Sequence, residues 1–263
     1  MDITVSSFAE FYAAVTDSAN QNNTIICPSG AVWDMNDPDK YNINSIPIKC
    51  NIQGNNTEIH NFRGSSQIWN SKTITELHFI NAFSERDAFL QSDTPSGTSE
   101  SALVDLQRCR ISCQLGASVN EMSKNVRFTR CAMNLAYQYV GGIGYIVMQT
   151  QNFPSRYNQI VINAPNATVI GSNSNIQLES SKLVVNAPLA TTINNQLYNC
   201  IIRGNMQALT SVKYSSERRN ISVIDSDNAP LFASQQNIVA ATDAQMKDIN
   251  YLNSIGFQIG SDA

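Results

Sequence analysis

The chain has 263 residues, of which only 14% are charged and 42% hydrophobic, with a formal net charge of −4. That apolar share with so little net charge excludes a natively disordered chain, and no Lys/Arg-rich run offers a footprint for nucleic acid. Charged residues normally make up about 25% of a globular chain; here Asn, Gln, Ser and Thr fill the gap.

The start, MDITVSSFAEFYAAV, lacks the basic region and continuous apolar stretch of a signal peptide, and no segment approaches the ~20 apolar residues that span a bilayer. The expectation is a soluble protein made in the cytoplasm without its own secretion signal. Ser7-x-x-Glu10 is a capping box, and Phe8, Phe11, Tyr12, Val15 and Ala19 follow on one helical face. Residues 1–23 therefore read as an N-terminal strand and a capping helix. In DMNDPD (34–39) the acids Asp34, Asp37 and Asp39 with Asn36 have the flavour of a calcium loop. The glycine and distal glutamate of such loops are missing, which makes a solvated turn the plainer reading, and no metal is expected.

IPIKCNIQGNNTEIHNF (46–62) alternates apolar and polar residues through Ile46, Ile48, Cys50 and Ile52. After the turn at Gly54–Thr57 it reads either as a hairpin or as a chain that turns a corner and keeps winding. A period decides between them. TIIC (24–27) and PIKC (47–50) align at a step of 23, VDLQRCRI (104–111) and VRFTRCAM (126–133) at 22, and VINAPNATVI (161–170) and VVNAPLATTI (184–193) at 23. A meander would repeat at about 10 residues. Steps of 22–23 are the length of one coil of a parallel β-helix, each coil stacking about 4.8 Å above the last.

Residues one step apart then lie above one another. Asn163 over Asn186 is expected to form an asparagine ladder at a corner, where an amide satisfies backbone groups and tolerates the left-handed conformation. Cys27 over Cys50 and Cys109 over Cys131 are expected as stacked core thiols; a disulfide between such pairs is the alternative, disfavoured by parallel side-chain vectors. His60 and His78 read as exposed strand residues without metal-ligand spacing.

Two stretches break the period. Residues 84–101 bulge as a loop where Phe79 and Leu106 would align. Residues 137–157 are glycine-rich and aromatic, with Tyr137, Tyr139, Tyr145, Phe153 and Tyr157; they read either as an interface or as a flattened, glycine-bent coil. Arg108, Arg110, Lys124, Arg127, Arg130 and Arg156 gather in adjacent coils, with Arg108 over Arg130. Two stacked guanidinium groups repel unless an anion meets them. An acidic neighbouring subunit or an anionic glycan fits that need, and a solvated face is the alternative. Near the C-terminus Thr242-x-x-Gln245 opens a helical stretch with Met246, Ile249, Leu252 and Ile255 on one side and Gly256 as its stop. It reads as a plug on the last coil or a docking element for a neighbour.

SFAEFYAAVTDSANQNNTIICPSGAVWDM, IPIKCNIQGNNTEIHNF and ITELHFINAF together resemble the start of a right-handed β-helix of the pectin-lyase-like superfamily. The likeness covers residues 3–83, and 101–227 more loosely through the repeats. The expected fold is all-β: a single-stranded right-handed parallel β-helix over 24–228, an N-terminal capping helix, and a C-terminal helical segment over 229–263. Enzymes of that superfamily act on polysaccharides with clustered or paired carboxylates. Between Glu121 and Glu179 this chain has no Asp or Glu, and Asp225 with Asp227 is the nearest thing to a pair.

The run ATDAQMKDINYLNSIGFQI (241–259) resembles the closing segment of β-helical modules in bacteriophage tail and virion proteins. The resemblance implies a structural virion protein, a tail or baseplate spike or a capsid decoration. It would work as a homotrimer among other virion proteins, with host-surface glycan as a further partner. No catalytic residue and no cofactor is expected, and neither nucleic acid nor membrane is an expected partner. A polysaccharide depolymerase with a site between subunits is the alternative.

Overall fold

The computed structural model describes residues 1–36, 43–69, 71–84, 89–92, 104–115, 123–124, 126–137, 143–144, 148–149, 155–156, 158–163, 169–179, 181–186, 191–198, 200–203, 209–212, 222–225 and 238–257. Every pairing between described strands is parallel, including the isolated bridges. Strand Asn51–His60 does not fold back on itself. It bends at Asn55 and Asn56, whose φ angles are 50° and 62°, and pairs along both of its arms with Thr73–Ser84 of the next coil. The chain is a parallel β-solenoid.

Alternation of apolar and polar residues sends every second side chain inward, and stacking lines these up into columns. Ile25, Ile52, Ile74, Leu106 and Phe128 are register partners in succession, all buried. Trp33, Ile59, Phe79, Ile111, Met133 and Ile160 form a second column. Each fully buried side chain of this size stabilises the fold by roughly 1.5–3 kcal/mol relative to exposure, so the columns are the main source of cohesion between coils.

The steps match the sequence repeats in part. Val104–Gln107 lies on Val126–Thr129 at a step of 22, and Val161–Asn163 lies on Val184–Asn186 at 23. Further along the second repeat the register slips, and Ile170 pairs with Thr191 instead of Ile193. At the N-terminal end Thr24 pairs with Asn51, a step of 27. Cys27 therefore falls beside Gly54, one coil below, and is not stacked directly on Cys50. The extra residues of that coil include the Pro28–Gly30 bend. Phe79 pairs with Ile111, a step of 32, and not with Leu106. The interruption there is no simple bulge, since Leu90–Ser92 is a strand of the stack, paired with Ser66–Ile68 below and at Ser123–Lys124 above. Its neighbour Phe89 packs edge-on against Phe79, with ring centroids 5.3 Å apart.

Corners are where the backbone leaves the ladder, and here they are built by left-handed residues. Glu76 (φ 53°), Arg108 (53°) and Arg130 (55°) occupy one corner, and Asn61 (58°) and Asn81 (54°) another. A non-glycine residue in this conformation is uncommon, with Asn enriched. Gly54 approaches Glu76 so closely that a Cβ would collide with the Glu76 carbonyl and the Leu77 nitrogen, which explains glycine at that bend.

Helices close both ends. Helix α1 (Phe8–Thr16) is capped by Ser7, whose Oγ accepts from the Glu10 N–H at 3.2 Å. The Glu10 carboxylate reaches back to Ser6, accepting from its N–H at 2.7 Å and its hydroxyl at 2.9 Å, in place of Ser7. Phe8 and Phe11 pack on Trp33 at 5.7 and 5.1 Å, and Val15 is buried with them. Ala19 does not belong to this face: the helix ends at Thr16 and Ala19 is exposed in a following 3-10 turn. Strand Asp2–Thr4 pairs with Thr24–Ile26 and so joins the first coil.

At the other end Ile238–Ala241 stacks on Ser222–Asp225, extending the ladder beyond residue 228. Thr242 and Gln245 close a reciprocal capping box at 2.8 and 3.3 Å. The expected single helix is two pieces, a 3-10 turn Gln245–Lys247 and helix α2 (Ile249–Ser254), because Asp248 breaks the first and caps the second. Met246 and Leu252 are buried with Ala241 and Phe257, whereas Ile249 turns outward, 57% exposed. Gly256 ends the segment with φ 80°. Among the described residues no helix is long and apolar enough to cross a membrane.

Candidate functional site

Two polar surfaces stand out on the solenoid wall. The first is the arginine face. Three of its cations are met from within the chain: Arg108 Nε donates to Glu76 Oε1 at 2.8 Å, Arg127 Nη2 to Asp105 Oδ2 at 3.0 Å, and Arg110 Nη2 to Glu58 Oε1; the side chains of Lys124 and Arg156 lie outside the described residues. Arg108 and Arg130 do share a corner position one step apart, as the repeat implies. The anion expected from a neighbour or a glycan is, for Arg108, Glu76 of the preceding coil. Asp105 also accepts from Gln107 at 2.9 Å and Thr129 at 3.1 Å, so one carboxylate ties two coils. Arg156 stands in register with Thr129 and not with Arg130.

Beside these pairs lie both histidines. His60 Nε2 is 2.6 Å from Glu58 Oε2. This hydrogen bond, helped by Arg110, holds the Glu58 carboxyl below its usual range. His78 is buried, 2% exposed, and is not the surface residue its strand position predicts. Its Nδ1 accepts the Arg110 backbone N–H at 3.0 Å. That assigns the proton to Nε2, which faces Asn56 Oδ1 at 3.2 Å. Burial, then the Arg110 charge, pushes the imidazole below its ordinary value, against the pull of Glu58 and Glu76.

The second surface is a groove of about 380 Å³. Its floor is two neighbouring outward columns. Asp34 Oδ1 accepts from Asn61 Nδ2 at 2.8 Å, and Asn61 Oδ1 accepts from Asn81 Nδ2 at 2.6 Å. This is an asparagine ladder at a left-handed corner, the device expected of Asn163 and Asn186. The Asn61 amide and the Asn36 backbone N–H hold the Asp34 carboxyl below its usual range. In the next column Arg63 bridges to Phe83, and Phe83 pairs with Gln114. The Arg63 guanidinium lies 5.6 Å from the Phe83 ring centroid.

The remaining sequence candidates are dispersed. Asn163 and Asn186 are register partners, although their side chains lie outside the described residues. Tyr137 is in strand Ala132–Tyr137, and Ile143–Gly144, Met148–Gln149 and Ser155–Arg156 are short strands of the stack. Tyr139, Tyr145, Phe153 and Tyr157 lie outside the described residues, as do the side chains of Tyr137 and Arg156. Asp37, Asp39 and Asp227 also lie outside them. Met246 and Leu252 belong to the C-terminal plug.

All six cysteines are free and buried. Cys109 and Cys131 lie one step apart, their Sγ atoms 3.7 and 3.3 Å from the carbonyl oxygens of Ile74 and Leu106. Burial raises the Cys27 thiol to about 12, Cys50 to about 11 and Cys113 to about 12. Thiols held this far from ionisation are packing groups, not nucleophiles. Among the described residues no three His, Cys, Asp or Glu side chains gather as a metal site.

Sequence reasoning missed Asn61, Arg63, Asn81 and Gln114, and the acids Glu58, Glu76 and Asp105. Asn61 and Asn81 repeat at 20 residues, off the 22–23 step, although each follows an alternating strand and stands at its corner. No family model, curated protein or solved structure matches the chain.

Proposed function

We propose that this chain is a structural protein of a bacteriophage virion, a tail or baseplate spike or a capsid-decorating β-solenoid, acting as a homotrimer and taking part in host-surface attachment. The observation that carries the reading is how the wall's carboxylates are used. Glu58, Glu76 and Asp105 are each engaged with arginines that link coils, so the acids of this face serve cohesion. Partly exposed ion pairs contribute little each, about 0–1 kcal/mol; set on continuous apolar columns they fix register and stiffen a rod. Helical plugs at both ends cover the strand edges that would otherwise pair with further chains. The resemblance of residues 241–259 to the closing segment of phage β-helical modules supports the virion assignment, as does a wall rich in Asn, Gln, Ser and Thr.

The test is immunogold labelling of particles with antibody raised against this chain. Gold at one end of the particle places the protein in the tail, and gold over the shell makes it a decoration. Particles that carry no gold while the lysate holds abundant free protein would contradict the reading.

A further inference from the structure

We propose that His78 is a proton-operated latch: a proton taken up from solvent at Nδ1 releases the Arg110 N–H, and the corner at Glu76 and Arg108 opens while the rest of the stack stays closed. The inference stands apart from the virion reading and concerns how the solenoid wall responds to acid.

The first argument is the part His78 plays in the ladder. Arg110, Ala132 and Gln159 are register partners in successive coils. The Ala132 N–H donates to the Cys109 carbonyl at 3.0 Å, and the Gln159 N–H to the Cys131 carbonyl at 2.9 Å. At the same place one coil earlier, the Arg110 N–H donates to His78 Nδ1 at 3.0 Å. A titratable side chain therefore stands where the next two coils use a backbone carbonyl. A carbonyl keeps its lone pairs at any ordinary pH, whereas an imidazole gives up its acceptor on taking a proton.

The second argument is that the ring has no slack. His78 is 2% exposed, and its Nε2 is already engaged by Asn56 Oδ1 at 3.2 Å. Gly54 of the coil below lies so close to the Glu76 carbonyl that no Cβ fits between them, so the corner has no room to settle downward. A proton on Nδ1 sets two donors face to face and leaves the Arg110 N–H without an acceptor in a buried seam, which parting the corner relieves. The columns on either side hold no titratable group: Ile74, Leu106 and Phe128, and Phe79, Ile111 and Met133, are buried register partners. They keep the stack closed when the latch lets go.

The charges around the ring set the sense of the switch. Glu58 faces it from the preceding coil, Glu76 from its own strand and Arg110 from the next coil. Glu58 is already held by Arg110 and His60, and Glu76 by Arg108. With both acids engaged, burial and the Arg110 charge make the closed corner resist a proton that the open corner accepts. If the open corner binds the proton with the ordinary value of 6.5 and the closed corner not at all, opening becomes about 25-fold easier between pH 7 and pH 5, the upper limit.

The experiment is amide hydrogen exchange of the whole chain, read residue by residue by NMR at pH 7, 6 and 5 and corrected for the intrinsic rate at each pH. We expect the protection of the Arg110 N–H to fall by about threefold to 25-fold from pH 7 to pH 5, with Ala132 and Gln159 unchanged. In His78→Asn, whose amide oxygen is an acceptor that does not titrate, Arg110 should show no such fall. Glu58→Gln should move the midpoint of the fall to lower pH, because it removes an acid that favours the charged ring. Arg110 protection that is constant with pH, an equal fall at Ala132 and Gln159, a fall retained in His78→Asn, or a midpoint raised by Glu58→Gln would each overturn the proposal. The comparison of the three amides in the unaltered chain decides the matter even where a variant does not fold.

Discussion

His78 links two coils through one lone pair. Its Nδ1 accepts from the Arg110 N–H across the 32-residue step, and a protonated ring would lose that acceptor and place a charge in a buried seam. The groups around it are Glu58, Glu76 and Arg110, and burial together with Arg110 outweighs the two acids. The folded-state value therefore lies below the ordinary 6.5. A depressed value means the stabilisation is fully present above pH 6.5 and is lost as pH falls through the folded-state value. Glu58 behaves in the same sense at lower pH, its contribution present above its ordinary 4.5 and lost on further acidification. Thermal melts should thus show Tm falling as pH drops from 7 to 5, before most carboxylates protonate. His78→Asn should be less stable at pH 7 and should flatten that slope. A slope unchanged in the variant would mean another group carries it.

At the scale of elements, the N-terminal helix is the piece whose removal should tell most. Phe11 is fully buried against Trp33 on the first coil, and the Lys49 N–H donates to the Val15 carbonyl at 2.9 Å, fixing the helix end to the stack. Phe11→Ala should cost about 3–5 kcal/mol and lower the urea midpoint. A cost below 1 kcal/mol would show that the plug contributes little. The winding of the chain was legible in the sequence because stacking repeats a residue's environment. Val104 and Val126 are register partners facing the same core, and Val161 and Val184 are register partners too, so like residues recur at the coil length. The corners were less legible. Arg108 and Arg130 stood out as a stack, but the acid that neutralises Arg108 lies 32 residues away across an insertion. No periodic reading pairs Glu76 with it. Arg110 reaches Glu58 over 52 residues, spanning two coils of unequal length. The groove was hidden for a related reason. Asn61 and Asn81 repeat at a shorter step, and Arg63 reveals itself only when the partners of the other arginines are known.

At the scale of the whole molecule, a parallel stack, plugged ends and a wall held by its own charges combine in one body. On the proposed function, the chain is a building unit that assembles with copies of itself. A solenoid of this kind gains from association through its lateral surface, since its helix-covered ends discourage end-to-end pairing into fibres. The low proportion of charged residues and the polar amide-rich wall leave broad surfaces free of the repulsion that a strongly charged rod would meet. Assembly should therefore be symmetric and closed. The measurement that bears most directly on this is the solution mass by light scattering at several protein concentrations. The account predicts a stable species at three times the 28.9 kDa of one chain. A mass of 28.9 kDa that persists as concentration rises would contradict it.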